Sequence, residues 1–212
     1  MKKVCIVVGH SAEDGGAYNE FFKLNEYDFN IGIAAMIAAE VHRRGVLPII
    51  MFRDGYLDMI AALNETGAEL AIELHCNAAA NREAKGCTML HWHSSSKGKA
   101  LAQDLQNAIH PLFDEQDRGL KPIRVGENGA PFLQKSKMPS VILEPFFLSN
   151  NKSVGKAIVQ RRAMAKAIAM QIAKHLGGDI SRGSAIEAKI RAEEPVMATS
   201  TSVETQQAEV TA

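Results

Sequence analysis

Five apolar runs of strand length, at residues 4–8, 46–51, 69–74, 86–92 and 140–144, alternate with stretches of helical period along this 212-residue chain. That alternation leaves few folds open. Apolar runs without polar alternation belong to strands buried on both faces, and the helices between them must cross back over the sheet. The expected fold is therefore a single α/β domain with a mostly parallel, twisted sheet flanked by helices on both faces.

The first long helix is expected in "FNIGIAAMIAAEVHRRG", where Ile33, Ile37 and Val41 share a face and Gly45 follows as a stop. It should run from Glu26 or Tyr27 to Arg44. Further helices fit "YLDMIAALNET", "GKALAQDLQNAIHPLF" and "AIVQRRAMAKAIAMQIAKHL", the last ending at Gly177 and Gly178. The folded domain is thus expected over 1–178. Residues 179–212 hold no aromatic side chain and are mostly small, polar or acidic, the composition of a low-complexity, disordered tail with at most a short helix near 184–193.

Composition narrows the function. The 24 basic and 24 acidic side chains balance, so no net field draws the chain to nucleic acid. Cys5, Cys76 and Cys87 are odd in number and sit in or beside apolar runs, which reads as reduced thiols. The apolar stretch of "MKKVCIVVGH" stops at Gly9, too short for a signal-peptide core or a membrane span. Synthesis in the cytoplasm without stable membrane insertion is the expectation.

Open α/β sheets place ligands outside the carboxyl ends of their parallel strands. Three strands here end on groups that bind metal or move protons: "VVGHS" on His10, "IELHCNA" on His75 and "VILEPF" on Glu144. Neutral imidazoles with a carboxylate, one position being left to water, form the ligand set of a catalytic zinc. Glu13, Asp14, Glu20 and Glu26 all follow His10 closely enough to supply the remaining ligand. Glu26 is preferred, because Asn25 is a plausible N-cap with Asp28 three residues on, which sets Glu26 in the first turn facing the sheet edge. Glu20 is the alternative.

The chain resembles the zinc-dependent N-acetylmuramoyl-L-alanine amidases of the amidase type-3 group. The matching segments are the Gly-His and glycine-bearing loop of "IVVGHSAEDGGA", Glu26 with Asn30 in "EYDFN", "ELHCNA", "GCTMLHW", "SSSKGKALAQDL", "DRGLK" and "MPSVILEPFFLSN". They cover about residues 4–176 in order. Ser11 and Ala12 stand where the family loop is often richer in glycine, and Pro145 follows Glu144 where a smaller residue is common.

The resemblance implies one Zn2+ per chain on His10, Glu26 and His75, with Glu144 as catalytic acid/base. It also implies cleavage of the amide between N-acetylmuramic acid and L-alanine in peptidoglycan or muropeptides. Asn77 and Arg118 are the expected substrate-binding residues, with Lys121 a further charge near Arg118. By analogy with phage endolysins of the family, a membrane pore would release such an enzyme to the cell wall; muropeptide processing is the other role. The rival readings are a zinc exopeptidase or deacetylase using the same ligands, and a non-catalytic wall-binding module on the same fold.

Other constellations carry less. Cys76 adjoins His75 on a strand and should point to the opposite face, against a thiol mechanism. His91 and His93 share a face in "HWH" but lack a carboxylate partner, so edge-strand or groove-lining roles are expected. Trp92 with Phe146 and Phe147 could form an exposed rim that stacks on sugar rings, with core packing expected for at least one phenylalanine.

Overall fold

The computed structural model describes residues 1–181; the short helix near 184–193 and most of the expected tail lie outside the described residues. The strands are β1 (Lys3–Val8), β2 (Tyr18–Asn19), β3 (Leu24–Asn25), β4 (Leu47–Met51), β5 (Leu70–Leu74), β6 (Cys87–Trp92), β7 (Asp117–Ile123) and β8 (Ser140–Glu144). The helices are α1 (Glu26–Arg43), α2 (Tyr56–Glu65), α3 (Ser96–Ile109), α4 (Ala130–Lys135) and α5 (Asn151–Leu176). Six strands form one sheet in the order β4-β1-β5-β8-β6-β7, and β2 pairs with β3 as a separate small ribbon.

β4, β1, β5 and β8 run parallel to one another. β6 runs antiparallel to β8, and β7 is parallel to β6. The sheet is therefore mixed and mostly parallel, with helices on both faces. β5 is buried along its whole length, the charged Glu73 included. On one face, Ile33, Ile37 and Val41 of α1 pack with α3 and α5 over Val4, Ile6, Ile72 and Val141. On the other, Met59, Ile60 and Leu63 of α2 and Phe132 of α4 cover Cys5, Val7, Ala71 and Ile142.

Local chemistry sets the helix ends. Asn25 caps α1 by accepting the Asp28 N–H at 2.7 Å, and Asn150 caps α5 by accepting from Lys152 and Ser153. α5 therefore starts six residues earlier than its periodicity suggests, since the polar cap and first turn precede its apolar stripe. β7 escapes the reading of apolar runs because "DRGLKPI" is an edge strand, exposed at most positions and carrying a proline. α4 is a short helix of six residues with proline in its first turn. The three cysteines are buried free thiols. Among the described residues no helix is long and apolar enough to cross a membrane.

Candidate active site

The parallel strands β1, β5 and β8 deliver three side chains to one end of the sheet. His10 lies two residues past β1, His75 follows β5 directly, and Glu144 closes β8. In-register pairing of Val8 with Leu74 and of Leu74 with Leu143 brings these ends level. Glu26, in the first turn of α1, is buried beneath both imidazoles. His10, Glu26 and His75 offer ligand atoms that all lie within 4.8 Å of one another.

Glu26 is the centre of the group. Oε1 lies 2.9 Å from His75 Nδ1 and accepts the Cys76 N–H at 2.8 Å, while Oε2 lies 3.3 Å from His10 Nε2 and accepts the Ala17 N–H at 3.2 Å. Burial works to raise its pKa, but the two histidines and the Cys76 amide overcome it and hold the carboxyl at about 2. The rings of His10 and His75 meet edge to face, with centroids 5.1 Å apart. Burial would lower the His75 pKa; the Glu26 and Glu73 carboxylates outweigh it and raise the imidazole to about 10 in the metal-free protein. The Glu26 contact likewise raises His10.

Two glycines make this packing possible. A Cβ on Gly9 would stand 2.5 Å from His75 Cε1, and one on Gly16, whose φ is +70°, would stand 2.6 Å from His10 Cδ2 and 2.8 Å from Glu26 Oε2. His10 itself adopts φ +66°, uncommon for a residue with a side chain. Asp14 folds back on it, placing Oδ2 3.1 Å from His10 Nδ1. Nε2 of His10 is thereby left facing Glu26.

Glu144, half-buried at the tip of β8, has none of the partners that Glu26 has. Its Oε2 is buried and accepts no hydrogen bond. Burial pushes its pKa up to about 7, with the neighbouring His75 charge working the other way. A carboxyl in that state both accepts and donates a proton near neutrality, which is what a general acid/base requires. The donor set of two imidazoles and one ionised carboxylate, brought within 4.8 Å of one another, suits a zinc ion.

His10, Glu73, His75 and Glu144 line a cleft of about 650 Å³. Its far wall comprises Arg53 and Tyr56 at the start of α2 and the loop from Val125 to Pro131. The guanidinium of Arg53 lies 3.8 Å above the Tyr56 ring.

A family model described as N-acetylmuramoyl-L-alanine amidase matches residues 4–177. The chain belongs to that family. Among relatives of this amidase family, LytC of Bacillus subtilis is 26% identical over 156 residues, which are 70% of this chain and 30% of LytC. This chain thus spans under a third of that relative's length. The catalytic domain of CwlV from Paenibacillus polymyxa shares the fold, with a TM-score of 0.74 at 23% identity over 84% of this chain and 99% of that one. The catalytic domain of an endolysin targeting Clostridia difficile superposes with a TM-score of 0.70 at 26% identity, covering 82% of this chain and 98% of that domain.

The amidase fold places the remaining expected residues as follows. Asn77 bridges to Phe147 through its backbone, donating to the Phe146 carbonyl and accepting from Leu148, while its side-chain Nδ2 is buried without a partner. Arg118 is exposed on β7, its guanidinium 4.7 Å from the Phe147 ring centroid and its Nε donating to the Lys85 carbonyl. Lys121 is exposed on the same strand. The alternative Glu20 is an exposed partner of Lys23, outside the ligand group.

Three expectations meet the structure differently. Trp92, Phe146 and Phe147 form no exposed rim: both phenylalanines are buried, Phe146 between the rings of Phe29 and Phe113, and Trp92 is half-buried against the core on the α2 and α4 side. His91 lies in β6 and His93 just past it, but β6 sits between β8 and β7 and is not an edge strand, and His91 is buried. Because β6 runs against β8, the pairing of His91 with Val141 carries both to the sheet end opposite Glu144. Cys76 faces the buried Asn30 side, and burial raises its thiol pKa well above normal, the wrong direction for a nucleophile. Sequence reading missed Arg53, Tyr56 and Glu73; for Glu73 the signal was a charge inside "LAIEL", two residues before His75 and on its face of the strand.

Proposed function

We propose that this amidase-family protein is a zinc-dependent N-acetylmuramoyl-L-alanine amidase, hydrolysing the bond between the lactyl carbonyl of N-acetylmuramic acid and the α-amine of L-alanine. The observation that carries this reading is the meeting of the His10–Glu26–His75 group with an unpaired, proton-active Glu144 in one cleft. His10, Glu26 and His75 would hold a zinc ion, which when bound would supply Lewis acidity toward water and the scissile carbonyl. Glu144 takes the proton of the attacking water and passes it to the departing amine nitrogen. Asn77 and Arg118 are the substrate-binding residues of this reading, both set outside the lining of the cleft that holds Glu144. Peptide is thereby stripped from glycan.

A lytic role on the intact wall is the reading to test first, given the likeness to an endolysin catalytic domain. In that role the protein is made in the cytoplasm and reaches the wall through a membrane pore formed by another protein. The zinc-loaded protein is incubated with purified sacculi, and in parallel with soluble muropeptides, and the new ends are identified by mass spectrometry. Glycan bearing free lactyl carboxylates and peptides beginning with L-alanine are expected. Peptide–peptide cleavage or deacetylation without these ends would overturn the assignment, and cleavage of muropeptides alone would assign the processing role.

A further inference from the structure

Glu73 is fully buried on β5, yet its Oε1 accepts no hydrogen bond and its Oε2 receives only a long one, from the Tyr56 hydroxyl at 3.4 Å. A buried carboxylate so poorly supplied with donors is costly unless another group compensates it. Residues two apart on a strand share a face, and His75 Nε2 is the basic atom nearest that oxygen, 3.6 Å from Oε1. The other ring nitrogen, Nδ1, is turned to Glu26 at 2.9 Å. The ring of His75 is thus suspended between two carboxylates, one on the ligand side and one in the floor of the cleft.

We propose that Glu73 is a positioning residue for the metal centre: it receives the Nε2–H of His75, fixes the tautomer, and so commits Nδ1 to the metal. This rests on the zinc reading of the site given above. A metal-ligating histidine commonly donates its other N–H to a carboxylate, which orients the ring and increases its basicity. The separation of 3.6 Å is beyond hydrogen-bond contact, so the proposal requires the pair to close when the metal is loaded. Asp14 stands in the equivalent relation to His10, on the solvent side, 3.1 Å from its Nδ1. Each imidazole then has Glu26 on one nitrogen and its own carboxylate on the other.

The alternative is that Glu73 serves only to tie α2 to the sheet through Tyr56. Two measurements separate these roles. In long-range 1H–15N spectra of the zinc-loaded wild-type protein, the proton of His75 is expected on Nε2; a proton on Nδ1 overturns the proposal, and this reading needs no variant to fold. In chelator competition, Glu73→Gln is expected to weaken zinc binding by about 10- to 100-fold, as loss of such a partner does. Glu73→Asp should recover part of that loss, and Tyr56→Phe should stay within about twofold of wild type. Wild-type affinity in a folded Glu73→Gln protein sinks the inference while leaving the zinc reading intact. A wild-type chain that binds no zinc sinks the zinc reading itself, and this inference with it.

Discussion

Two pairs of histidines, His10 with His75 and His91 with His93, leave strands at opposite ends of the sheet, and among the described residues only the first pair joins a group that could hold a metal. His10 and His75 leave β1 and β5, which run in parallel, and they meet over Glu26. His91 lies in β6, which runs the other way, and His93 follows it, so His91 pairs with Val141, roughly 10 Å and three strand residues from Glu144 along β8. There His91 is buried with Nδ1 against the Trp92 carbonyl, and His93 is exposed against the Trp92 ring. The same residue type at the same point of a strand thus has opposite fates, decided by strand direction and by whether a buried carboxylate lies between the rings.

The largest expected effect breaks that comparison at its centre. His75→Ala removes one of the three proposed ligands and should abolish stoichiometric zinc binding, measured by elemental analysis after gel filtration. His91→Ala, judged by the same measurement, should retain one zinc per chain. Equal zinc in both variants would mean the two ends are equivalent and the ligand set is misplaced.

Within the site, the contrast between Glu26 and Glu144 is sharpened by an isosteric change. Glu144→Gln keeps shape and removes no proposed ligand, so zinc content and melting temperature should hold. Turnover should fall by about 100- to 10,000-fold, or roughly 3 to 5 kcal/mol of barrier, the usual contribution of a general acid/base. Loss of zinc would make Glu144 a ligand instead; near-normal turnover would remove it from the chemistry.

These contrasts were partly legible before any coordinates. His10, His75 and Glu144 announce themselves because a polar residue closing an apolar run is conspicuous, and Glu26 follows from the Asn25 cap that fixes where α1 begins. Strand direction is not written in periodicity: "CTMLHW" reads the same whichever way β6 runs, so the mixed sheet and the remoteness of His91 appear only in the pairing. β7 was hidden for a different reason, since an exposed edge strand needs few apolar residues. Glu73 passed as part of a recognisable "ELHCNA" motif, and its burial without adequate donors emerges only once Val7 and Ile142 flank it.

The smallest expected effect concerns protons at the two imidazoles. In the metal-free protein His75 is raised from its ordinary value to about 10, and Glu26 is lowered to about 2. The histidine's contribution to stability is therefore fully present below about pH 6.5 and is lost as pH rises through 10. The carboxylate's contribution is present above about 4.5 and is lost as pH falls through 2. Both act together between about 4.5 and 6.5, where the site stabilises the metal-free fold most. Zinc requires neutral imidazoles, so loading expels whatever protons Glu26 and Glu73 have stabilised. Apparent affinity should then rise about tenfold per pH unit for each imidazole that enters protonated, measured by chelator competition between pH 6 and 9. A Glu26→Gln protein removes the carboxylate that holds both protons as well as a proposed ligand, so its weaker residual binding should also lose much of this slope. Zinc affinity independent of pH across that range in the wild-type protein would show that His10 and His75 are already neutral, and that the ion pairs with Glu26 do not form in solution.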